Sequence, residues 1–436
     1  MTAVEAGRRF SVSAAWSAVK AARHDPAVRV RNVDLLAVAI AALLPWSTSG
    51  VAIFTILWVI ALFWAFDLDV FLRALKRPSF AWPIALFGLA VVGTLWSDAP
   101  WGTRLHAIGP TLKLLMLPLL LYHFERSQRG LWVFLAFLVS CTLLMMVSWI
   151  VMLEPGLSLK GVEAGAGRGI FVKNYIAQSQ EFGLCAVALA YPVWKLSREK
   201  RWWLASLLAV AGLGFVLNMT FVIVSRTALV TVPIMIVVLG FMHFRFRTNL
   251  VILAVLAMLA VAGWFGSPQL QSTVSKFSGE YQEYVETGRA TSIMERLQYW
   301  KSGLRFFAEA PLFGHGTGSL GGLYAKASGQ ADWVPGARVF PNPHNQTLFV
   351  AVEWGLVGVV VLYGMWISHF LLFRGGGLAH WVGTLVVVQN VFTSLFNSHI
   401  FDFHEGWMYV LGVGVAGGMV LRDGGRDRET SDEAGL

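Results

Sequence analysis

A succession of apolar stretches, each near the length that crosses a bilayer, limits this chain more than any other feature. A hydrocarbon core of ~30 Å takes roughly 17–25 apolar residues per helix, and inside it every backbone N–H and C=O must find its partner within the protein. About twelve stretches fit. They centre on Val33–Trp46, Val51–Phe66, Phe80–Leu95, Ala107–Tyr122, Leu131–Leu153, Ile176–Trp194, Trp202–Leu217, Thr227–His243, Leu250–Trp264, Gln346–Phe373, Leu378–Phe396 and Trp407–Leu421. The first is short and ends in a Pro-Trp-Ser turn, and the fourth carries Lys113. Only 14% of the residues are charged, against roughly 25% in a soluble domain. The reading is an all-α, polytopic membrane protein.

Charge placement supplies an orientation. Of the 34 basic residues, 21 lie in the two tails and in the connections around Arg73–Arg77, Arg126–Arg129, Lys195–Arg201, Arg245–Arg247 and Arg374. Cytoplasmic loops carry the excess of Lys and Arg, so both termini are expected in the cytoplasm, as an even helix count requires. The net charge of +9 is then a consequence of topology and leaves no nucleic-acid footprint. The expected division is a cytoplasmic tail over 1–32, spans one to nine over 33–265, a large outer loop over 266–345, three spans over 346–421 and a cytoplasmic tail over 422–436. The N-terminal stretch lacks the apolar core and cleavage site of a signal peptide. The tail after Arg422, rich in Asp, Glu and Arg, reads as disordered. Cys141 and Cys185 both fall in apolar runs and offer no disulfide framework or paired metal spacing.

On the outer side one connection dominates, from Gly266 to Asn345. Structureless loops beyond roughly 12–15 residues are usually functional or disordered. Here Ile293, Leu297, Trp300, Leu304 and Phe307 recur at three- and four-residue steps, the stripe of an amphipathic surface helix. Pro311 and the glycines of PLFGHGTGSLGG end it. A shorter outer connection, Glu154–Tyr175, contains GAGRG.

The residues able to carry chemistry collect on this side. His344 follows Pro341 and Pro343 and stands at the mouth of the tenth span, where an imidazole can act as acid or base. The plainer role is an interfacial histidine or a contribution to the helix cap. Arg226, in SRTALV at an outer helix end, either snorkels to head groups or offers its planar fork to a phosphate. Arg168, Arg289 and Arg296 add to it, although each alone is an ordinary solvated charge. Glu353 is an acid within a span, expected to be paired across the bundle. Gly355 and Gly358 read as a small-residue patch for helix packing. In NSHIFDFHEG, His399, Asp402, His404 and Glu405 cap the last outer turn. They lack a helical pair of histidines and any cysteine, so a hydrogen-bonded rim that meets sugar hydroxyls is preferred to a metal. There is no phosphate-cradling loop and no dinucleotide fingerprint.

Three segments carry a resemblance: Arg296–Trp300 (RLQYW), PLFGHGTGS from Pro311, and HNQTLFVAVEWGLVG from His344. They resemble the O-antigen ligase/O-antigen polymerase superfamily, whose mark is a His followed by Asn, Ser or Gln and then a Gly-x-x-Gly. Asn345, Gly355 and Gly358 fit that mark, and SRTALV is similar to the family's Arg-containing element. The motif core spans residues 220–358. The resemblance implies a metal-independent glycosyltransferase of GT-C-like architecture that uses lipid-linked donors and needs no cofactor.

The single dominant outer loop looks like the ligase branch. That implies transfer of a glycan from undecaprenyl diphosphate to a terminal sugar of lipid A-core, at the periplasmic face of the bacterial inner membrane among the membrane lipids. In this reading His344 is catalytic, Arg226, Arg289, Arg296 and Arg168 hold the diphosphate, and Asn345, His399, Asp402 and His404 support the acceptor side. Inversion at the anomeric carbon is expected. The polymerase, which differs in acceptor, is the alternative within this chemistry. A lipid or polysaccharide transporter is the alternative outside it; such proteins place substrate on broken helices near the midplane.

Overall fold

The computed structural model describes residues 25–159, 169–288 and 290–434, and every regular element among them is helical. A helix, or two or three abutting helical segments, covers most of each apolar stretch named above. Among the described residues, seven helices are long and apolar enough to cross a membrane: Pro78–Leu95, Trp101–Phe124, Gly130–Leu153, Trp202–Phe221, Arg226–His243, Phe246–Gly266 and Gln346–Leu372. The pair Thr48–Phe63 and Leu68–Ala74, bent by 112°, makes an eighth if counted as one span. Helix Phe246–Gly266 buries only Asn249 and leaves Leu253, Val261 and Phe265 exposed. Water would not tolerate so extensive an apolar surface, but lipid does. The chain is a multi-pass helical membrane protein.

The core lies where helix Phe403–Ala434 packs along Met116–Phe124 and Leu378–Thr393, with Leu117, Leu121, Phe124, Leu385 and Val413 fully buried. Two glycines set the closeness of that packing. A Cβ on Gly414 would stand 2.5 Å from the Cβ of Leu120, and one on Gly418 2.5 Å from that of Phe124. The same helix continues to Ala434, through the tail that composition alone suggested was disordered. Extending a helix costs far less than starting one, and no proline intervenes.

Two breaks shape the end of the bundle that holds the site. The first interrupts the Trp101–Phe124 span with a 3-10 segment, Gly109–Leu115, whose second residue, Pro110, lacks a backbone donor. Lys113 on this segment is buried, and its ammonium donates to the carbonyl of Phe401 at 3.0 Å and to that of Asp402. The lysine that makes this a poor lipid-facing helix is spent on holding the 398–402 turn.

The second break lies at Gly355, within helix Gln346–Leu372, where φ is 62° and ψ is −156°. The turn after Pro311 fills the gap. Leu356 N–H donates to Pro311 at 2.8 Å, His315 N–H to Val352 at 2.9 Å and Gly316 N–H to Glu353 at 2.8 Å. Gly355 therefore admits a loop backbone, and not the neighbouring helix expected from the small-residue pattern. A Cβ there would lie 2.3 Å from the Leu312 carbonyl oxygen. Glu353, expected to be paired across the bundle, meets a backbone donor: its carboxylate accepts from Gly318 N–H at 2.9 Å.

Between Gly266 and Asn345 the chain forms helices Pro268–Thr287, Ser292–Glu309 and Leu320–Ser328. The middle one is the amphipathic helix of the sequence, turned so that Leu297 and Leu304 of its apolar stripe look outward while Ile293, Trp300 and Phe307 are half-buried. Met294, Gln298, Tyr299, Ser302 and Phe306 face the protein, while Leu297 and Leu304 are 48% and 60% exposed.

Candidate active site

His344 precedes helix Gln346–Leu372, in a backbone conformation that L-residues rarely adopt. Its φ is 53°, which for a non-glycine residue stores roughly 1–3 kcal/mol and survives only where the surroundings over-determine it. The surroundings are Asn342, whose side-chain oxygen accepts the His344 N–H at 2.8 Å, and two aromatic rings. Phe340 stacks on the imidazole at 10° with centroids 5.6 Å apart, and Tyr299 lies 5.9 Å away on a tilt. Asn345 is the N-cap: its side chain accepts from Leu348 N–H at 3.0 Å, a role that fixes the helix start. The helix is thus held at its first turn and the imidazole directly before it.

Behind the ring, His344 Nδ1 lies 3.0 Å from Asn397 Oδ1, and Asn397 Nδ2 donates to Asp402 Oδ2 at 2.6 Å. No described residue hydrogen-bonds Nε2 of His344. Burial, together with the positive charges of Arg296 and Arg338, holds the imidazole below its ordinary pKa against the opposing pull of Asn397 and Glu295. Neutral imidazole with a proton-free nitrogen is the form of a general base.

Arg296, half-buried on helix Ser292–Glu309, forms no hydrogen bond or ion pair with any described residue. Burial lowers its pKa, and the charges of Tyr175, Arg226 and Glu280 reach it. The charge of the same guanidinium reaches His344 and His399, so Arg296 lies within electrostatic range of both Arg226 and His344, which come from separate elements. Arg226 starts helix Arg226–His243 and pairs with Glu280 of helix Pro268–Thr287. A second oxygen of Glu280 accepts from Ile293 N–H at 3.3 Å. One carboxylate thereby joins Arg226 to two helices of the long connection. Arg168 and Arg289 lie outside the described residues.

His399 is buried, its Nδ1 unpartnered and 3.9 Å and 3.8 Å from the carboxylates of Asp402 and Glu405. Burial, reinforced by Arg296 and His344, pushes its pKa down to about 3. The three donor atoms lie within 4.8 Å of one another, a convergence that spacing alone did not disclose. Lys113 lies within electrostatic reach of both carboxylates, so the local negative charge meets an ammonium of the protein itself. His404 packs edge-on against Phe403 with centroids 5.3 Å apart.

Beside these groups opens a cavity of about 420 Å³, lined among others by His106, Phe340, Asn342, Glu353, Trp354 and Asp402. Carboxylates and amides with aromatic faces are the partners that a polyhydroxylated ring takes. An apolar cavity of about 400 Å³ near Leu131, Leu196 and Leu378 lies at the other end of the helices, remote from His344. Glu280, Asn342 and Asn397 carried no signal in the sequence, because each gains its role only from a partner brought in from another element.

Residues 211–363, about a third of the chain, match the family model described as O-antigen ligase, a similarity that supports kinship with the O-antigen ligase/polymerase superfamily. The matched segment contains Arg226, Glu280, Arg296 and His344, and ends before Asn397 and Asp402. An uncharacterized protein of Haemophilus influenzae is 24% identical over 143 residues, which are 32% of this chain. The similarity spans 36% of that relative's length.

Proposed function

We propose that this chain belongs to the O-antigen ligase/polymerase superfamily, whose members are glycosyltransferase-like enzymes, and that it is an O-antigen ligase. It transfers a glycan from undecaprenyl diphosphate to a terminal sugar hydroxyl of lipid A-core, without metal, at the periplasmic face of the bacterial inner membrane. In this reading the chain has twelve spans in a GT-C-like arrangement, with cytoplasmic tails over 1–32 and 422–436 and a periplasmic loop over 266–345. The outward stripe of Leu297 and Leu304 then lies at the membrane boundary, where a lipid-linked donor enters.

Arg296 is the observation that carries the reading. A half-buried guanidinium with no counter-charge in contact among the described residues is expensive. Placed within reach of Arg226 and His344, it is repaid by an anionic ligand such as a diphosphate, whose geometry the planar fork matches. Glu280 on Arg226 occupies the place of a phosphate until the donor displaces it.

The reaction needs few parts. Nε2 of His344 takes the proton of the acceptor hydroxyl as its oxygen attacks the anomeric carbon. The bond from that carbon to the diphosphate oxygen breaks, and the leaving electron pair stays on the diphosphate, where Arg296 and Arg226 stabilise it. A single displacement inverts the anomeric centre. The cavity beside Asn342 and Asp402 receives the acceptor sugar, and the supporting roles of Asn345, His399 and His404 are structural. Arg168 and Arg289 are further candidates for the diphosphate.

A deletion strain tests ligase against polymerase. Loss of all capped lipopolysaccharide, with undecaprenyl-linked chains accumulating, is the expected result. Caps of a single repeat would instead identify a polymerase.

A further inference from the structure

We propose that Asn397 and Asp402 are positioning residues that set the tautomer of His344, the Asp402 carboxylate keeping Nε2 free of its proton through the Asn397 carboxamide. The inference rests on the role of His344 proposed above and adds what selects its reactive form.

A carboxamide has two chemically different ends, and here each meets a group that admits one orientation. Asp402, as carboxylate, can only accept, so it turns the Asn397 NH₂ towards itself, at 2.6 Å. Asn397 Oδ1 is then the atom facing the imidazole, and the ring nitrogen 3.0 Å from it must carry the proton. That nitrogen is Nδ1, which leaves Nε2 with its lone pair. Asn342 locks the choice. Its Oδ1 is taken by His344 N–H and by the Ser398 hydroxyl, both at 2.8 Å, and its Nδ2 donates to Asn397 Oδ1 at 3.3 Å. Donors and acceptors agree throughout in this arrangement. Turning the Asn397 amide over would set its oxygen against a carboxylate and its NH₂ against that of Asn342.

Protonation of Asp402 weakens the constraint. A carboxylic acid can donate, so only the Asn342 NH₂, whose 3.3 Å bond is the longest of the network, then opposes the turned amide, whose NH₂ would meet a deprotonated Nδ1. His344 would carry its proton on Nε2, where it can no longer accept one. The groups facing Asp402 are Lys113, Asn397, His399 and Glu405. Those facing His344 are Arg296, Glu295, Arg338 and Asn397. Burial lifts the Asp402 carboxyl to about 6, against Lys113 and Asn397. The carboxylate, and with it the reactive tautomer, is present above that pH and lost as pH falls through it.

The test measures kcat and both KM values of the full chain in nanodiscs against pH, for wild type, H344A, D402N, N397L and N397D. D402N should lower kcat at least tenfold, short of the ~10⁴-fold lost when a serine protease loses a carboxylate that touches its histidine directly. Its acid limb near pH 6 should flatten, since the amide does not titrate, with KM for the donor within twofold of wild type. N397L should fall at least as far, and N397D, which returns an acceptor to Nδ1, should recover at least tenfold over N397L. D402N with wild-type kcat and an unmoved acid limb, or N397L equal to N397D, would overturn the proposal. An active H344A would instead sink the base role beneath it, so the two failures are separable.

Discussion

Arg226 and Arg296 are both half-buried, but the protein treats them differently. Arg226 has Glu280, and Arg296 has only an electrostatic environment. Arg296→Ala should therefore cost transfer about 10²–10³ in kcat, the usual loss on removing one donor to a developing anion. Arg296→Lys should recover little of it, because a point charge lacks the fork. Donor-concentration series on purified variants give the answer, and wild-type donor use in both would reduce Arg296 to a solvated charge. For Glu280→Gln the expected change is opposite in sign. A half-buried ion pair contributes on the order of 1 kcal/mol, so freeing Arg226 should tighten donor binding roughly fivefold. Unchanged or weaker binding of the lipid diphosphate would show that Glu280 orients Arg226 rather than filling its place. The sequence disclosed Arg226, Arg296 and His344 because their residue types carry chemistry at marked positions. It could not disclose Glu280 or Asn397, which are ordinary residues until a partner 54 or 53 positions away meets them.

At the scale of elements, the breaks matter more than the helices. Apolar length announced nearly every helix, and Lys113 and Glu353 looked like defects in two of them. Both sit beside interruptions that let a loop or turn enter the bundle: Lys113 holds the turn at Phe401 and Asp402, and Glu353 holds Gly318. Hydropathy sums over a window and cannot see such a break, while Gly355 gave a hint that a packing motif explains equally well. Gly355→Ala should cost about 1–3 kcal/mol from backbone conformation alone, with more from its contact with the Leu312 carbonyl. A lowered thermal midpoint in detergent is the readout, and an unaltered midpoint would deny the break its importance. The outward stripe on Ser292–Glu309 gives another prediction. Leu297→Glu with Leu304→Glu should leave stability within roughly 0.5 kcal/mol, as exposed substitutions do, yet weaken use of long-chain lipid donors more than of short-chain ones. Equal losses for both chain lengths would remove the helix from the membrane boundary.

For the whole molecule, amino-acid composition and hydropathy were enough to read a helical membrane protein, since no soluble fold tolerates so much outward apolar surface. Orientation is another matter, because it is imposed by the asymmetry of basic loops during insertion and leaves no mark on the packed helices. It predicts that Gln330→Cys, in a chain freed of Cys141 and Cys185, reacts with a membrane-impermeant maleimide from the periplasmic side. Glu199→Cys should react only after the inner membrane is opened, and the reverse pattern would invert the topology. The claim that joins all three scales is that His344 and the two arginines make one group-transfer site that needs no membrane gradient. It is tested most directly by mixing the purified protein in detergent with undecaprenyl-diphosphate-linked glycan and lipid A-core. Wild type should form glycan-capped lipid A-core without added metal, and His344→Ala at equal folded amount should lose at least ~10²-fold. Transfer by His344→Ala within a few-fold of wild type, or no transfer by the wild type at all, would contradict it.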